Sequence, residues 1–302
     1  MVKRWRGIGS TFGASALVLG LCVSATTAAP IVDGTILGDA YGAARSVQTV
    51  QTEFGDNGSE LNAAYATLDG GRLYLALTGN IENNFNKLEI FIDSKVGGEN
   101  VFSGVPGNDG TGVMTGLTFD TGFDADYHVI ARRGFFGGDR FDLDIAELGT
   151  ANFSAYGDVF GGVYEGSGVT GTGPANAFPI ELGYDNSNVA GILGGTAAAD
   201  QAAALAVETG FEISIDLADL GSPVGAFKVM AFVNGSDHNF ASNQFLGGLT
   251  PPQGNLGGDG LGNFTGTLNF DLNDFAGNQY FIVPEPATIA LLGIGLLALR
   301  RR

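Results

Sequence analysis

The sequence predicts an all-β protein, a jelly-roll-like antiparallel β-sandwich with one short helix, flanked by an apolar segment at each end. Two features of composition favour this class. Glycine supplies 50 of the 302 residues and charged side chains only 15%, as in chains with many turns, because glycine accepts positive φ without steric cost. The hydrophobic fraction of 44% is sufficient for a packed core. Short apolar or alternating runs separated by Gly, Asn and Asp are the third feature.

The N-terminal segment, residues 1–29, is predicted to be a cleaved signal peptide. Basic residues near the start precede an uncharged apolar run at 14–23, and small residues follow at 24–29. The apolar run is shorter than the roughly 20 residues that span a bilayer. We therefore expect export by the secretion machinery. The mature chain then lacks Cys22 and Trp5, the single cysteine and the single tryptophan.

The strands of the predicted sandwich domain, residues 30–283, are read from apolar runs rich in β-branched and aromatic side chains. These runs are residues 72–79, 87–94, 127–133, 211–217, 227–235 and 266–272. The sequence Asp69-Gly70-Gly71 predicts a hairpin turn before the first of them. An alanine-rich stretch at 197–204 predicts the one helix.

The body is strongly acidic. Between the two end segments, eight basic residues stand against 31 acidic residues, a formal charge of −23. Such a charge repels nucleic acid and anionic lipid surfaces and attracts cations, so we expect no nucleic-acid partner. Acidity also keeps proteins soluble, which is an alternative explanation of the same composition.

The C-terminal segment, residues 284–302, together with Val283 before it, has three parts in a fixed order. Val283-Pro284-Glu285-Pro286 comes first, an uncharged apolar stretch follows at 287–299, and Arg300, Arg301 and Arg302 close the chain. A helix of 13 residues rises about 20 Å, less than a hydrocarbon core of roughly 30 Å. Basic residues that flank a membrane helix stay on the cytoplasmic side, which leaves the body outside.

This order of parts resembles the PEP-CTERM sorting signal. The resemblance implies that an exosortase-type membrane protease recognises Pro284-Glu285-Pro286 and cleaves nearby. It also implies a protein held transiently in the inner membrane by its C-terminal helix and then delivered to the cell surface or extracellular matrix. The prolines on both sides of Glu285 keep the motif extended, as a protease site requires.

A second resemblance covers about a third of the body. Residues 32–42 resemble the opening of family 9 carbohydrate-binding and DOMON-like domains, with Tyr41 near an aromatic position of that group. The hairpin at 61–80, the strand that ends on Asp93 and the segment 209–221 resemble later parts of the same domains. The resemblance implies an antiparallel β-sandwich that binds sugars or haem, or that packs against a neighbour.

Sugar binding depends on aromatic side chains that stack on the apolar face of a sugar ring. The mature body has no tryptophan, so tyrosine and phenylalanine must supply any such surface. The candidate ligand-binding residues are Tyr41, Tyr127, Phe135 and Phe136. Core packing is the alternative role for these rings.

Calcium is the one candidate cofactor, because hard cations bind several carboxylate oxygens on loops. The candidate ligands are Glu99, Asp109, Asp120, Asp124 and Asp126. Their spacing does not match an EF-hand, and capping of turns is the alternative role. Haem would need an axial ligand from His128 or His238, the only histidines, and the sequence contains no c-type attachment motif.

Nothing in the sequence favours catalysis, since the body lacks a cysteine nucleophile and a paired-histidine motif, and we expect a protein that is not an enzyme. Two functions remain open. In the first, the sandwich binds exopolysaccharide or another glycan in the cell envelope or matrix. In the second, the protein is a purely structural component of the matrix without a specific ligand.

Overall fold

The computed structural model describes Met1 and residues 28–285, which form two antiparallel sheets and one short helix. The strands are numbered along the chain. In spatial order, the first sheet consists of β1 (Ser46–Val47), β2 (Glu60–Asp69), β3 (Arg72–Asn80), β10 (Gly210–Asp216), β9 (Glu181–Tyr184) and β8 (Gly166–Val169). The helix α1 covers Gln201–Leu205.

The second sheet carries the long insertions of the fold. Its spatial order is β12 (Ala241–Leu246), β11 (Phe227–Asn234), β4 (Lys87–Asp93), β5 (Tyr127–Phe135), β6 (Asp139–Glu147) and β7 (Phe153–Tyr156). The last strand, β13 (Phe281–Val283), pairs with the beginning of β11 on the side away from β4.

Alternation along the strands creates the core between the two sheets. Leu75 on β3, Ile90 on β4 and Ile213 on β10 are each 1% exposed and belong to one apolar cluster. Burial of a side chain of this size stabilises the fold by about 1.5–3 kcal/mol relative to exposure. Neighbouring positions along each strand point to the opposite face of the sheet, as the two-residue period of a strand requires.

A second apolar cluster covers the outer face of the second sheet. Phe91 and Phe232 project from β4 and β11 and meet Phe102 and Phe119 from the long connection between β4 and β5. This connection therefore acts as a lid over one half of the sheet. The other half of the same face carries charged side chains.

The predicted all-β sandwich with one short helix is confirmed, as is the hairpin turn, where Gly70 and Gly71 both have positive φ. The helix begins later than predicted, because the Asp200 side chain accepts hydrogen bonds from Ala202 and Ala203 and so caps it.

The prediction of a strand at 266–272 is wrong. Gly266 turns there with φ of 80°, and Leu268 and Phe270 pack into the outer cluster instead of entering a sheet. The predicted signal peptide at 1–29, apart from its last two residues and Met1, and the apolar C-terminal helix at 287–299 lie outside the described residues.

The second sheet has two ends with different surroundings. At the cleft end, β4 begins, β11 finishes and β5 turns into β6 through residues 136–138. At the tail end, β4 finishes, β11 begins and β13 finishes immediately before Pro284.

Candidate functional site

An open cleft of about 590 Å³ lies at the cleft end, on the outer face of the second sheet. We call it the Lys87 cleft. Its lining residues are Asn84, Phe85, Lys87, Asp109, Arg132, Phe136, Arg140, Asp142, Ser236 and Asp237. Three of the eight basic residues of the acidic body therefore share one site.

Strand register brings the charges of the floor together. Lys87 on β4 lies opposite Arg132 on β5, and Arg132 lies opposite Asp142 on β6. Because directly paired residues on one face have neighbouring side chains, the three form a row across the sheet. Each of these positions alternates with an inward apolar residue, so the same pattern that builds the core fixes the row.

The floor of the cleft is a chain of ion pairs. Asp109 binds Lys87 Nζ at 2.8 Å and Arg132 at 3.3 Å through the same oxygen, Oδ2. Arg132 continues to Asp144 at 3.1 Å. Arg140 Nε donates to Asp142 at 2.7 Å. Donors and acceptors thus alternate in fixed positions along the site.

Beneath this floor lies a buried carboxylate, Glu89, with no exposed surface. His128 Nε2 lies 2.8 Å from one of its oxygens, and His238 Nδ1 lies 2.6 Å from the other. Asn234 also donates to it at 3.1 Å. The second ring nitrogen of His238 lies 3.1 Å from Asp109, so the buried network reaches the cleft through this histidine.

The protonation of His238 follows from its two carboxylate partners. Burial alone would lower its pKa, but the charge of Glu89 and the hydrogen bonds to Asp109 and Glu89 raise the pKa to about 9. Burial would likewise raise the pKa of Asp109, yet His238, Arg132 and Lys87 hold it at about 2. The pKa of Glu89 is lowered below its usual value by both histidines, against burial. His238 is thus a cation between two anions at neutral pH.

His128 has a different role, because it ends a row of aromatic rings. Phe245, Phe232, Phe91 and His128 stack in sequence across four strands, with interplanar angles of 1°, 7° and 2°. Its Nδ1 is buried and has no hydrogen-bond partner among residues 28–285, and its Nε2 faces Glu89. This row anchors the network to the outer apolar cluster.

Backbone strain concentrates at this cleft. Phe85, Asp109 and His238 have φ of 65°, 43° and 59°, values that non-glycine residues seldom adopt and that cost of order 1–3 kcal/mol each. Gly134 on β5 is needed as well, because a Cβ there would lie 2.5 Å from the ring of Phe85. Strain of this kind persists only where the surrounding structure imposes it, and it recurs at ligand sites.

Phe136 stands at the rim. Its side chain is 78% exposed, and the Arg140 guanidinium lies 5.8 Å from the ring centre. The neighbouring Phe135 is also exposed but does not line the cleft. Of the four predicted ligand-binding aromatics, the structure therefore places one in the site and one beside it.

The other two predicted aromatics are buried, which corrects their proposed role as stacking surfaces. Tyr41 is 3% exposed and donates to Glu212 at 2.7 Å on the outer face of the first sheet. Tyr127 is 4% exposed and lies at the tail end, with its hydroxyl near Lys95. Both rings pack into apolar clusters, and Tyr127 also lines a cavity at the tail end with Lys95 and Glu147.

The predicted calcium ligands are separated by the fold. Glu99 accepts from Ser103, Asp120 from the Gln279 backbone and Asp126 from two backbone N–H groups, while Asp124 is exposed. Only Asp109 lies in the cleft, where it faces cations. Among residues 28–285, no three acidic, histidine or cysteine side chains converge in a group able to hold a metal ion. Calcium dependence stays a prediction.

Sequence reasoning missed most of the site. The sequence did carry a signal for Lys87, Arg140 and Asp142, because each is a charged residue that alternates with apolar residues along a strand. Glu89 had the same signal within β4. No sequence signal predicted the contact between Glu89 and His238, because 149 residues separate them.

Of the predicted sorting residues, Val283 is buried at the end of β13, and Pro284 and Glu285 follow it. Pro286 and Arg300 to Arg302 lie outside the described residues. No helix in the described part of the chain has the length and apolar character needed to cross a membrane.

Comparison with known proteins identifies one feature. Residues 283–302 match the family model of the PEP-CTERM protein-sorting motif. No curated protein and no solved structure matches the chain. The motif marks an exported protein with a C-terminal sorting tail and implies an exosortase-type enzyme as its partner.

Proposed function

We propose that this chain is an exosortase-sorted protein of the cell envelope or extracellular matrix whose sandwich binds exopolysaccharide or another glycan in the Lys87 cleft. The observation that carries the proposal is the cleft itself. Fixed cationic donors and carboxylate acceptors alternate along its floor, and an exposed aromatic ring stands at its rim. A sugar offers the complementary groups, hydroxyls that both donate and accept and an apolar face that stacks on a ring.

The balance of charge in the cleft also fits a glycan. The body as a whole is strongly acidic, yet the cleft pairs Lys87 and Arg132 with Asp109, and Arg140 with Asp142. A neutral or weakly charged polyhydroxylated ligand meets no net repulsion there. The network beneath the floor holds these side chains in place before a ligand arrives, which reduces the entropy lost on binding.

The position of the cleft supports the same function. Strand β4 separates the cleft end from the tail end by seven residues, about 20 Å of extended chain. While the tail is held at the membrane, the cleft end points away from it, toward the space that the matrix occupies.

We further propose that the site binds its ligand and does not hydrolyse it. A glycosidase needs one carboxyl group that carries a proton near the working pH. Asp109 lies in the cleft with its pKa held at about 2 by His238, Arg132 and Lys87, against the effect of burial. Asp142 is bound by the Arg140 side chain and by the Asp158 backbone N–H. These contacts suit fixed acceptors of hydrogen bonds. Burial raises the pKa of Asp144, but this side chain is 2% exposed and does not line the cleft.

The test is retention of the purified exported protein on the exopolysaccharide of its own host, with calcium or with a chelator. We expect saturable binding that Phe136→Ala weakens about fivefold to tenfold, because the ring loses its stacking contact. Phe135→Ala is the matched control, since that ring is 64% exposed but lies outside the cleft. Loss of binding in chelator would place a metal in the site.

Equal loss in the two variants would contradict the cleft as the binding site. Absence of binding by the unmodified protein under both conditions would contradict glycan binding altogether. The purely structural matrix protein would then be the better account of the same sorting signal.

A further inference from the structure

The sandwich delivers its sorting motif without a linker. Val283, fully buried, pairs with Phe227 at the start of β11, and Pro284 follows at once. Four peptide steps separate Val283 from Ala287, where the uncharged stretch begins, a reach of at most about 14 Å. Any position of the apolar tail in a membrane therefore fixes the position of the tail end of the sandwich.

The short length of the apolar tail brings the sandwich closer to the membrane. The uncharged stretch at 287–299 has 13 residues, and a helix of that many residues would be about 20 Å long, shorter than a hydrocarbon core of about 30 Å. A short apolar segment is accommodated by thinning of the bilayer and by pulling the flanking residues toward it. The residues around the end of β13 then lie at the level of the lipid headgroups.

The tail end exposes two apolar side chains where such a surface is expected. Val96 and Val224 are 105% and 98% exposed, the highest values among the large apolar residues at 28–285. They stand on separate loops, after β4 and before β11, yet they line the same cavity of about 390 Å³. Phe227, the partner of Val283, lines that cavity too.

The lining of this cavity is less acidic than the body as a whole. Lys95 pairs with Glu147 at 2.6 Å, and Lys228 pairs with Asp93 at 2.8 Å. Both lysines line the cavity together with a single carboxylate, Asp93, so the lining carries no excess of negative charge. An edge of this kind with apolar tips approaches lipid headgroups without the repulsion that the acidic surface elsewhere would meet.

We propose that Val96 and Val224 form a membrane-contacting edge, which rests on the outer surface of the lipid bilayer while the sorting tail is inserted. The contact holds Pro284 and Glu285 at the membrane surface and sets the orientation of the sandwich during sorting. Glycan binding has no part in this contact, because only the tail end is involved.

The test uses the full chain with Cys22→Ser, which removes the only native cysteine. A single cysteine is introduced as Val96→Cys or Val224→Cys and labelled with an environment-sensitive fluorophore. Val189→Cys is the matched control, because Val189 is 82% exposed and follows Asn188, which binds Asn80. Asn80 lies near the cleft end, since the carbonyl of the next residue, Ile81, accepts a hydrogen bond from Arg133 on β5. All positions are surface valines, so the fold tolerates the label.

The labelled chains are reconstituted into liposomes of phosphatidylethanolamine and phosphatidylglycerol that contain acyl-chain spin-labelled lipid. We expect quenching of the labels at 96 and 224 to exceed that at 189 at least about threefold, as for side chains inserted at the interface. Equal quenching at the three positions would overturn the proposal. Shielding of the labels at 96 and 224 from water only when the sorting enzyme is also present would overturn the proposal too, since the edge would then bind that protein.

Discussion

The two ends of the second sheet place their charges very differently. At the cleft end, the Glu89 side chain has no exposed surface, and Lys87 and Arg132 are 5% and 12% exposed. At the tail end, Lys95 and Glu147 are 34% and 29% exposed. Both ends belong to the same sheet and share strands β4, β5 and β6, so the difference lies in what covers each end.

This difference separates charges that organise a site from charges that solubilise a surface. Burial of ionised groups costs several kcal/mol each, and their mutual attraction repays it only with good geometry. A network of that kind adds little net stability, and three residues with strained backbone conformations lie around it. Exposed pairs cost little and contribute little. The cleft end therefore carries features that stability does not require, whereas the tail end is held by apolar packing of β13.

Removal of the buried carboxylate is the largest perturbation that we predict. Glu89→Ala leaves His238 and His128 without their shared partner, and it should lower the free energy of unfolding by about 3–5 kcal/mol. Glu147→Ala at the tail end is the matched change and should cost less than about 1 kcal/mol. Denaturant unfolding of both variants measures the two values. Similar losses in the free energy of unfolding for the two variants would contradict the proposed difference between the two ends.

A smaller loss should follow from weakening the last strand. Phe281 is 4% exposed in the core between the sheets, so Phe281→Ala should cost about 3 kcal/mol. Ile282 lies on the same strand at 55% exposure, and Ile282→Ala should change stability by less than about 0.5 kcal/mol. Thermal and denaturant unfolding test the pair. A negligible cost for Phe281→Ala would show that β13 is not held by packing.

The remaining predicted effect is a dependence of stability on pH. The pKa of His238 is raised from 6.5 to about 9 in the folded protein, so its protonation stabilises the fold fully below pH 6.5. That contribution, about 3 kcal/mol at roughly 1.4 kcal/mol per pKa unit, should be lost as pH rises from 6.5 through 9. Burial raises the pKa of Glu212 to about 7. The free energy of unfolding should therefore also decrease as pH rises from 4.5 to 7.

His238→Gln isolates the histidine in this measurement. The variant should be less stable at pH 6.5, and its stability should change little between pH 6.5 and 9. An unchanged slope over this interval would mean that other groups produce the pH dependence.

Local patterns were sufficient to predict much of the fold. Gly70 and Gly71 mark a turn that only residues tolerant of positive φ make easily, and alternating runs marked β3, β4, β5, β10 and β11. The strand prediction for 266–272 was wrong because the apolar residues of this run pack into the outer cluster. Composition does not distinguish such packing from a strand. The strand β6 was missed, although charged and apolar residues alternate clearly at 140–145.

The site was less predictable for a physical reason. Its floor depends on strand register and its buried network on contacts between distant segments, such as Glu89 with His238 and Asp109 with Lys87. A sequence shows which residues are charged but not which charges lose their water. Tyr41 and Phe136 illustrate the limit, because both are aromatic residues near glycine and only the fold buries one and exposes the other.

Hydrogen–deuterium exchange of the full chain in liposomes tests most directly the claim that the two ends face different partners. Oligosaccharides released from the host exopolysaccharide are added, and exchange is compared with and without them. We predict slower exchange at the cleft end, in residues 132–142 and 234–240, and no change at 94–96 and 221–226. Slower exchange at the tail end, or no change at either end, would contradict the account.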